Sequence, residues 1–308
     1  MNELSNIKKF DTTATLECFT TLLFWSLGPI FITYLAGFID SFTQNFLRYV
    51  VSCLFWLPFL LISIRKNRFD KSLWLKAIIP AAANLTMQGL YAAAFYYISP
   101  AFMVLLMKSS IVWTALFSLV FFLDERPLAK SKRFWLGMIL SVAGVIGVMY
   151  YKKDFAAAKT LTGILLALGS SIAFAVYAIS ARIFFKKNDS RQAFSVTSIY
   201  TTLGFAVLTL SFGNIKASLS LNAWQWACVV ISSITGIALG HTLLYAAIRR
   251  IGVTIPSLLL LAQPFLVLAF SHIVFRESMN IPQLLSGAVL LTGSAIAIWA
   301  QEHLRKPE

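Results

Sequence analysis

The chain has 308 residues, 58% of them hydrophobic and only 12% charged, with a net charge of +14 and a mean hydropathy of +0.77. A soluble domain carries about 25% charged residues, so this composition points to a membrane-embedded protein. The basic residues form short clusters between apolar runs, which argues against nucleic acid and for the lipid bilayer as partner.

The first fourteen residues are polar, and the first apolar run lacks a small-residue cleavage site, so an uncleaved first span is expected. At about 20 residues per spanning helix, the apolar runs predict helices at about 15–36, 43–64, 73–98, 100–123 and 133–151. After a linker they predict five more, at about 160–186, 191–213, 222–250, 253–275 and 281–301. Strand-period alternation is absent, which argues against a barrel, and backbone polar groups in lipid must pair within the chain, which favours helices. Cys18, Cys53 and Cys228 are scattered without metal or CxxC spacing, so no disulfide framework, zinc site or other cofactor is expected.

Loop charge orients the helices. With the N-terminus in the cytoplasm, the inner ends hold 18 of the 26 Lys and Arg residues, the outer ends five, and Arg48, Lys108 and Arg182 lie within spans. Loop 2–3 has five basic residues and its counterpart 7–8 has only Lys216; loop 4–5 has four and loop 9–10 has one. Loops 1–2 and 3–4 have none, whereas 6–7 and 8–9 have three and two. Charge swaps sides at each matched loop, as a five-helix unit repeated upside down requires. The echoes Leu90-Tyr91-Ala92-Ala93 and Leu244-Tyr245-Ala246-Ala247, and Gly137–Gly144 with Gly287–Ser294, fit the same pairing.

The expected fold is therefore all-α, a polytopic membrane protein with ten transmembrane helices in two inverted repeats. Its parts are a cytoplasmic tail (1–14), repeat one (15–151), an external linker (152–159), repeat two (160–301) and a cytoplasmic tail (302–308). Inverted repeats recur in secondary transporters, with the substrate near the midplane.

At Leu22-Leu23-Phe24-Trp25-Ser26, Phe46-Leu47-Arg48-Tyr49 and Gln263-Pro264-Phe265 the chain resembles the drug/metabolite transporter superfamily in its EamA-domain branch. The pairing of Glu125 with Gly137 and of Glu277 with Gly287, closing each copy, is part of that likeness. The resemblance implies ten helices, both termini inside, and export or exchange of small metabolites, with the bacterial inner (plasma) membrane as the expected location. Copy one lacks a proline matching Pro264, so a helix break there is expected in copy two alone.

Lys108 is the leading candidate site residue. It lies eight residues past Pro100, about 12 Å into the span at 1.5 Å per residue. A lysine at that depth faces a cavity or partner and would hold a substrate carboxylate or phosphate; the alternatives are snorkelling or contact with a helix end. Gln88 and His241 fall at matched places of helices 3 and 8 and would face each other across a cavity, and Asn84, Gln88 and Tyr91 form one stripe repeated by His241 and Tyr245. Interhelical hydrogen bonding is their structural alternative. Pro256 and Pro264 mark a hinge in helix 9, with a purely structural kink as the alternative, and Gln263 beside Pro264 is a further substrate-binding candidate. Trp25, Trp113 and Tyr177 are aromatic-pocket candidates against a lipid-facing or packing role. Arg48 and Arg182 read as snorkelling, Glu125 and Glu277 as locally paired with Arg126 and Arg276.

Small residues on helices 5 and 10 read as close-packing faces, used within the copy or in a homodimer. No Asp or Glu lies deep in a span, and neither HExxH nor a nucleotide-binding loop is present. An enzyme is therefore not expected, and an ATP-driven pump or carboxylate-coupled mechanism loses support; His241 is the natural proton-coupling group. The expected function is alternating-access transport of an amino-acid-like or other carboxylate-bearing metabolite. Nucleotide-derived or phosphorylated metabolites stand second, ahead of an intramembrane enzyme or a non-transporting sensor.

Overall fold

The computed structural model describes residues 12–153, 156–186, 188–251 and 254–304. Side chains of Asp124, Tyr245, Ile248, Arg249, Ile251, Thr254, Ile255 and residues 301–304 lie outside this description. Repeat one comprises α1 (Thr12–Leu35), α2 (Ser41–Arg65), α3 (Ile78–Ala94), α4 (Pro100–Met107 continued by Ser110–Phe121) and α5 (Lys132–Tyr150). Repeat two comprises α6 (Ala158–Phe185), α7 (Ser190–Phe212) and α8, built from Ala223–Ser232, a π-helical stretch Ser233–Leu239 and Gly240–Ile251. It continues with α9 (Thr254–Leu260, then Gln263–Phe275) and α10 (Ile281–Leu304).

No strand occurs among the described residues, and nine helices there are long and apolar enough to cross a membrane. The tenth, α3, has 17 residues. It is shorter than the expected 73–98 because Pro80 offers no N–H to the carbonyl of Lys76, and a separate turn, Leu73–Lys76, ends there.

Packing obeys a two-fold relation between the repeats. α5 lies along α10 and α2 along α7, each helix on its own counterpart. α3 packs on α6 as α1 packs on α8, and α4 packs on α6 as α1 packs on α9. The inversion shows in which loops meet. At one end Asp40, between α1 and α2, accepts from Asn214 N beyond α7, while Glu277 beyond α9 accepts from the N–H groups of Ala101 and Phe102 at the start of α4. At the other end Asn188, between α6 and α7, donates to Asp70 between α2 and α3, and Arg182 of α6 pairs with Glu125 beyond α4 at 2.7 Å. Connections 1–2 and 6–7 therefore lie at opposite ends.

Two local assignments change. Glu125, 1% exposed, forms an ion pair with Arg182 across the helix bundle, where the sequence suggested the adjacent Arg126. Glu277 caps α4, where aligned N–H groups favour an anion, and also accepts from Ser271 Oγ. The small-residue faces of α5 and α10 pack on each other across the repeats, with Ser141 and Ser294 hydroxyls 3.2 Å apart. A dimer would need another surface.

Candidate functional site

The centre of the bundle holds a cavity of about 150 Å³ between the repeats, walled by α1, α2, α3, α4, α6, α8 and α9. Its polar lining is Lys108, Arg48, Gln88, His241, Gln263, Ser110, Trp25 and Tyr91, set among Ile32, Met87, Val104, Met107, Phe174 and Ile237.

Local sequence chemistry puts Lys108 there. Pro264 has no N–H, which leaves the carbonyl of Leu260 without its helical donor, and α9 breaks at Leu261–Ala262. Lys108 Nζ donates to that carbonyl at 2.9 Å and to Gln263 Oε1 at 2.9 Å. Gln263 Nε2 in turn donates to the Trp25 carbonyl of α1 at 2.8 Å. The break is not one-sided as expected. α4 also breaks, at Lys108–Ser109, through i to i−3 bonds like those in α9. No proline is needed there: Lys108 spans the gap to the other break, and Ser109 Oγ donates to Ser171 Oγ of α6 at 2.9 Å. One ammonium group thus links the interruptions of the two helices.

Gln88 and His241 both reach the cavity wall, each 9% exposed. The His241 ring lies between Trp25 and Phe194, with centroid distances of 5.1 and 5.3 Å. Trp25, one of the aromatic-pocket candidates, is part of the cavity wall, and its Nε1 donates to the Gly236 carbonyl at 3.0 Å, in the π-helical stretch of α8. Tyr91 lines the wall and meets Phe95 edge-on.

Other candidates lie elsewhere. Asn84 is buried but donates to Tyr49 Oη at 2.8 Å and Thr201 Oγ1 at 3.0 Å, tying α3 to α2 and α7. Trp113 and the buried Tyr177 are not part of the cavity wall. Pro256 is buried in the first half of α9, away from the break that Pro264 flanks. The Tyr245 side chain lies outside the described residues.

Arg48 is the residue that sequence reasoning missed. It was expected to snorkel, yet it is 3% exposed, lines the cavity, and has no hydrogen-bond partner for Nε or Nη1. The signal was present: Gln44, Asn45, Arg48, Ser52 and Trp56 lie at helical spacing on α2, and all are buried. A polar stripe turned inward carries its arginine inward too.

Ten helices in two inverted copies, joined around a polar cavity where two of them break, define a membrane transporter fold. The model of the EamA-like transporter family matches residues 13–150 and again 161–299, and the chain belongs to that family. Over 168 residues it is 26% identical to an uncharacterized transporter of Methanothermobacter thermautotrophicus, a match covering 54% of this chain and 48% of the relative. This chain thus spans about half the length of that relative. A solved crystal structure shares the fold, with a TM-score of 0.64 over 95% of this chain and 99% of that one. At 17% identity this likeness shows the fold alone.

Proposed function

We propose that the protein moves a small carboxylate-bearing metabolite across the bacterial inner membrane by alternating access, exporting or exchanging it. The observation that carries this reading is the cavity at the seam of the repeats, where Lys108 and Arg48 supply positive charge and no described Asp or Glu contributes to the wall. The breaks in α4 and α9 give the repeats places to bend without tearing a continuous ladder of backbone bonds. A substrate carboxylate would draw Lys108 away from the Leu260 carbonyl and Gln263, which couples binding to the only direct tie described between the two breaks.

The test is counterflow of labelled metabolites into liposomes containing the purified protein. Lys108→Ala should lower transport about 10- to 100-fold, as expected for loss of charge-assisted hydrogen bonds, while insertion and elution as a monodisperse species stay normal. Unchanged uptake by a folded Lys108→Ala protein would remove Lys108 from the site.

A further inference from the structure

We infer that Arg48 is the substrate's primary anchor, and that the substrate it selects is an organic anion without an ammonium group, not a zwitterionic amino acid. This rests on the transport reading above and narrows its substrate class. Arginine remains charged in any protein environment, and a buried charge is tolerated only when paired. Arg48 is buried in the cavity wall with two of its three guanidinium nitrogens lacking a partner. Each of these two nitrogens shares an edge of the planar guanidinium with Nη2, and such an edge matches a carboxylate in two-point contact.

No described acid supplies the missing counter-charge. Glu17 faces Arg250, Asp40 caps α2, and Asp70 lies with Lys76 and Asn188. Glu125 pairs with Arg182, Asp189 with Arg191, and Glu277 caps α4. Lys108, the second cation of the same wall, already donates to two oxygens, so Arg48 has the greater unmet demand. An incoming ammonium group would be a third positive charge in that space and would compete with Lys108 for the oxygens at the α9 break. A carboxylate bearing a carbonyl or hydroxyl in place of the amine meets no such opposition.

Matched pairs test this directly: pyruvate against alanine, 2-oxoglutarate against glutamate, and phenylpyruvate against phenylalanine. Each is scored on the full chain by thermal shift and by counterflow in liposomes. At least one oxo acid should stabilise the protein and be transported, with its amino acid weaker by about tenfold or more. Arg48→Gln should abolish the oxo-acid response. Arg48→Lys, which keeps the charge but loses the fork, should weaken it about tenfold and serves if Arg48→Gln does not fold. Amino acids carried as well as their oxo acids, or an oxo-acid response unchanged in either folded variant, would overturn the inference while leaving transport intact. Absence of movement of any metabolite in any gradient would instead count against the transport reading itself, and the inference would fall with it.

Discussion

Asp40 shows at single-residue scale how one carboxylate outside the spans joins the two repeats. It accepts hydrogen bonds from Phe42 N, Thr43 N, Thr43 Oγ1 and Asn214 N, the first three capping α2 and the last crossing to repeat two. Partial burial by itself would raise its pKa, but the hydrogen bonds outweigh that and hold it below the ordinary carboxylate value. A depressed folded-state pKa adds stability that is complete above the unfolded value of about 3.9 and is lost as pH falls through the folded value. Exposed Asp70, held to about 2 chiefly by hydrogen bonds from Ser72 and Asn188, titrates in the same direction. The melting temperature in detergent should therefore fall between about pH 4 and pH 2, and Asp40→Asn should flatten that fall. Asp40→Ala should cost about 1 kcal/mol at neutral pH through loss of the cap; a melting curve at pH 7 equal to wild type would refute the capping role. Residue depth was only half legible in the sequence. Arg48 lies seven residues into α2 and Lys108 eight into α4, at nearly one depth, yet only Lys108 reads there as facing a cavity. What separates snorkelling from inward burial is the direction of the helix face, and for Arg48 the neighbours Gln44, Asn45 and Ser52 carry that information.

At the scale of elements, apolar length and small-residue spacing carry most of the organisation, because a span must be long and its close contacts must be small. The partner of a small-residue face was not legible, since glycine spacing permits approach without saying which helix approaches. A Cβ added at Gly137 would lie 2.6 Å from Ala297 N and 2.7 Å from Gly293 O, both backbone atoms of α10. Gly137→Ala must then push two helices apart and should destabilise by about 1–3 kcal/mol, the usual cost of overpacking. At Gly37 an added Cβ would meet nothing closer than the Tyr34 carbonyl at 3.6 Å, so Gly37→Ala should change stability by less than about 0.5 kcal/mol. Equal melting temperatures for the two variants would show that the α5–α10 contact is looser than described. The break in α4 escaped sequence reading for a related reason. Proline announces an interruption within its own helix, whereas the partner of Lys108 lies about 150 residues further along, at Leu260 and Gln263.

For the whole molecule, inversion is written twice in independent terms. Loop charge alternates between the repeats, and hydrogen bonds sort the same loops into two groups, one at each end of the bundle. Asp40 and Asn214 share one end; Asp70, Lys76 and Asn188 share the other. The contacts establish which loops lie together but carry no sign, and the positive-inside bias supplies it. Arg65 at the end of α2 with Lys66, Arg68, Lys71 and Lys76 before α3, against Lys216 alone between α7 and α8, lead us to propose that the Asp70–Asn188 end faces the cytoplasm. Single cysteines at positions 68, 188 and 216 test this, after replacement of the free Cys18, Cys53 and Cys228. In intact cells a membrane-impermeant maleimide should label position 216 and leave 68 and 188 unmodified until the membrane is opened. Labelling of 68 and 188 together from outside, with 216 protected, would reverse the molecule but keep the repeats inverted. Labelling of 68 and 188 from opposite sides would be fatal to the inversion, because Asp70 and Asn188 could not then share a hydrogen bond.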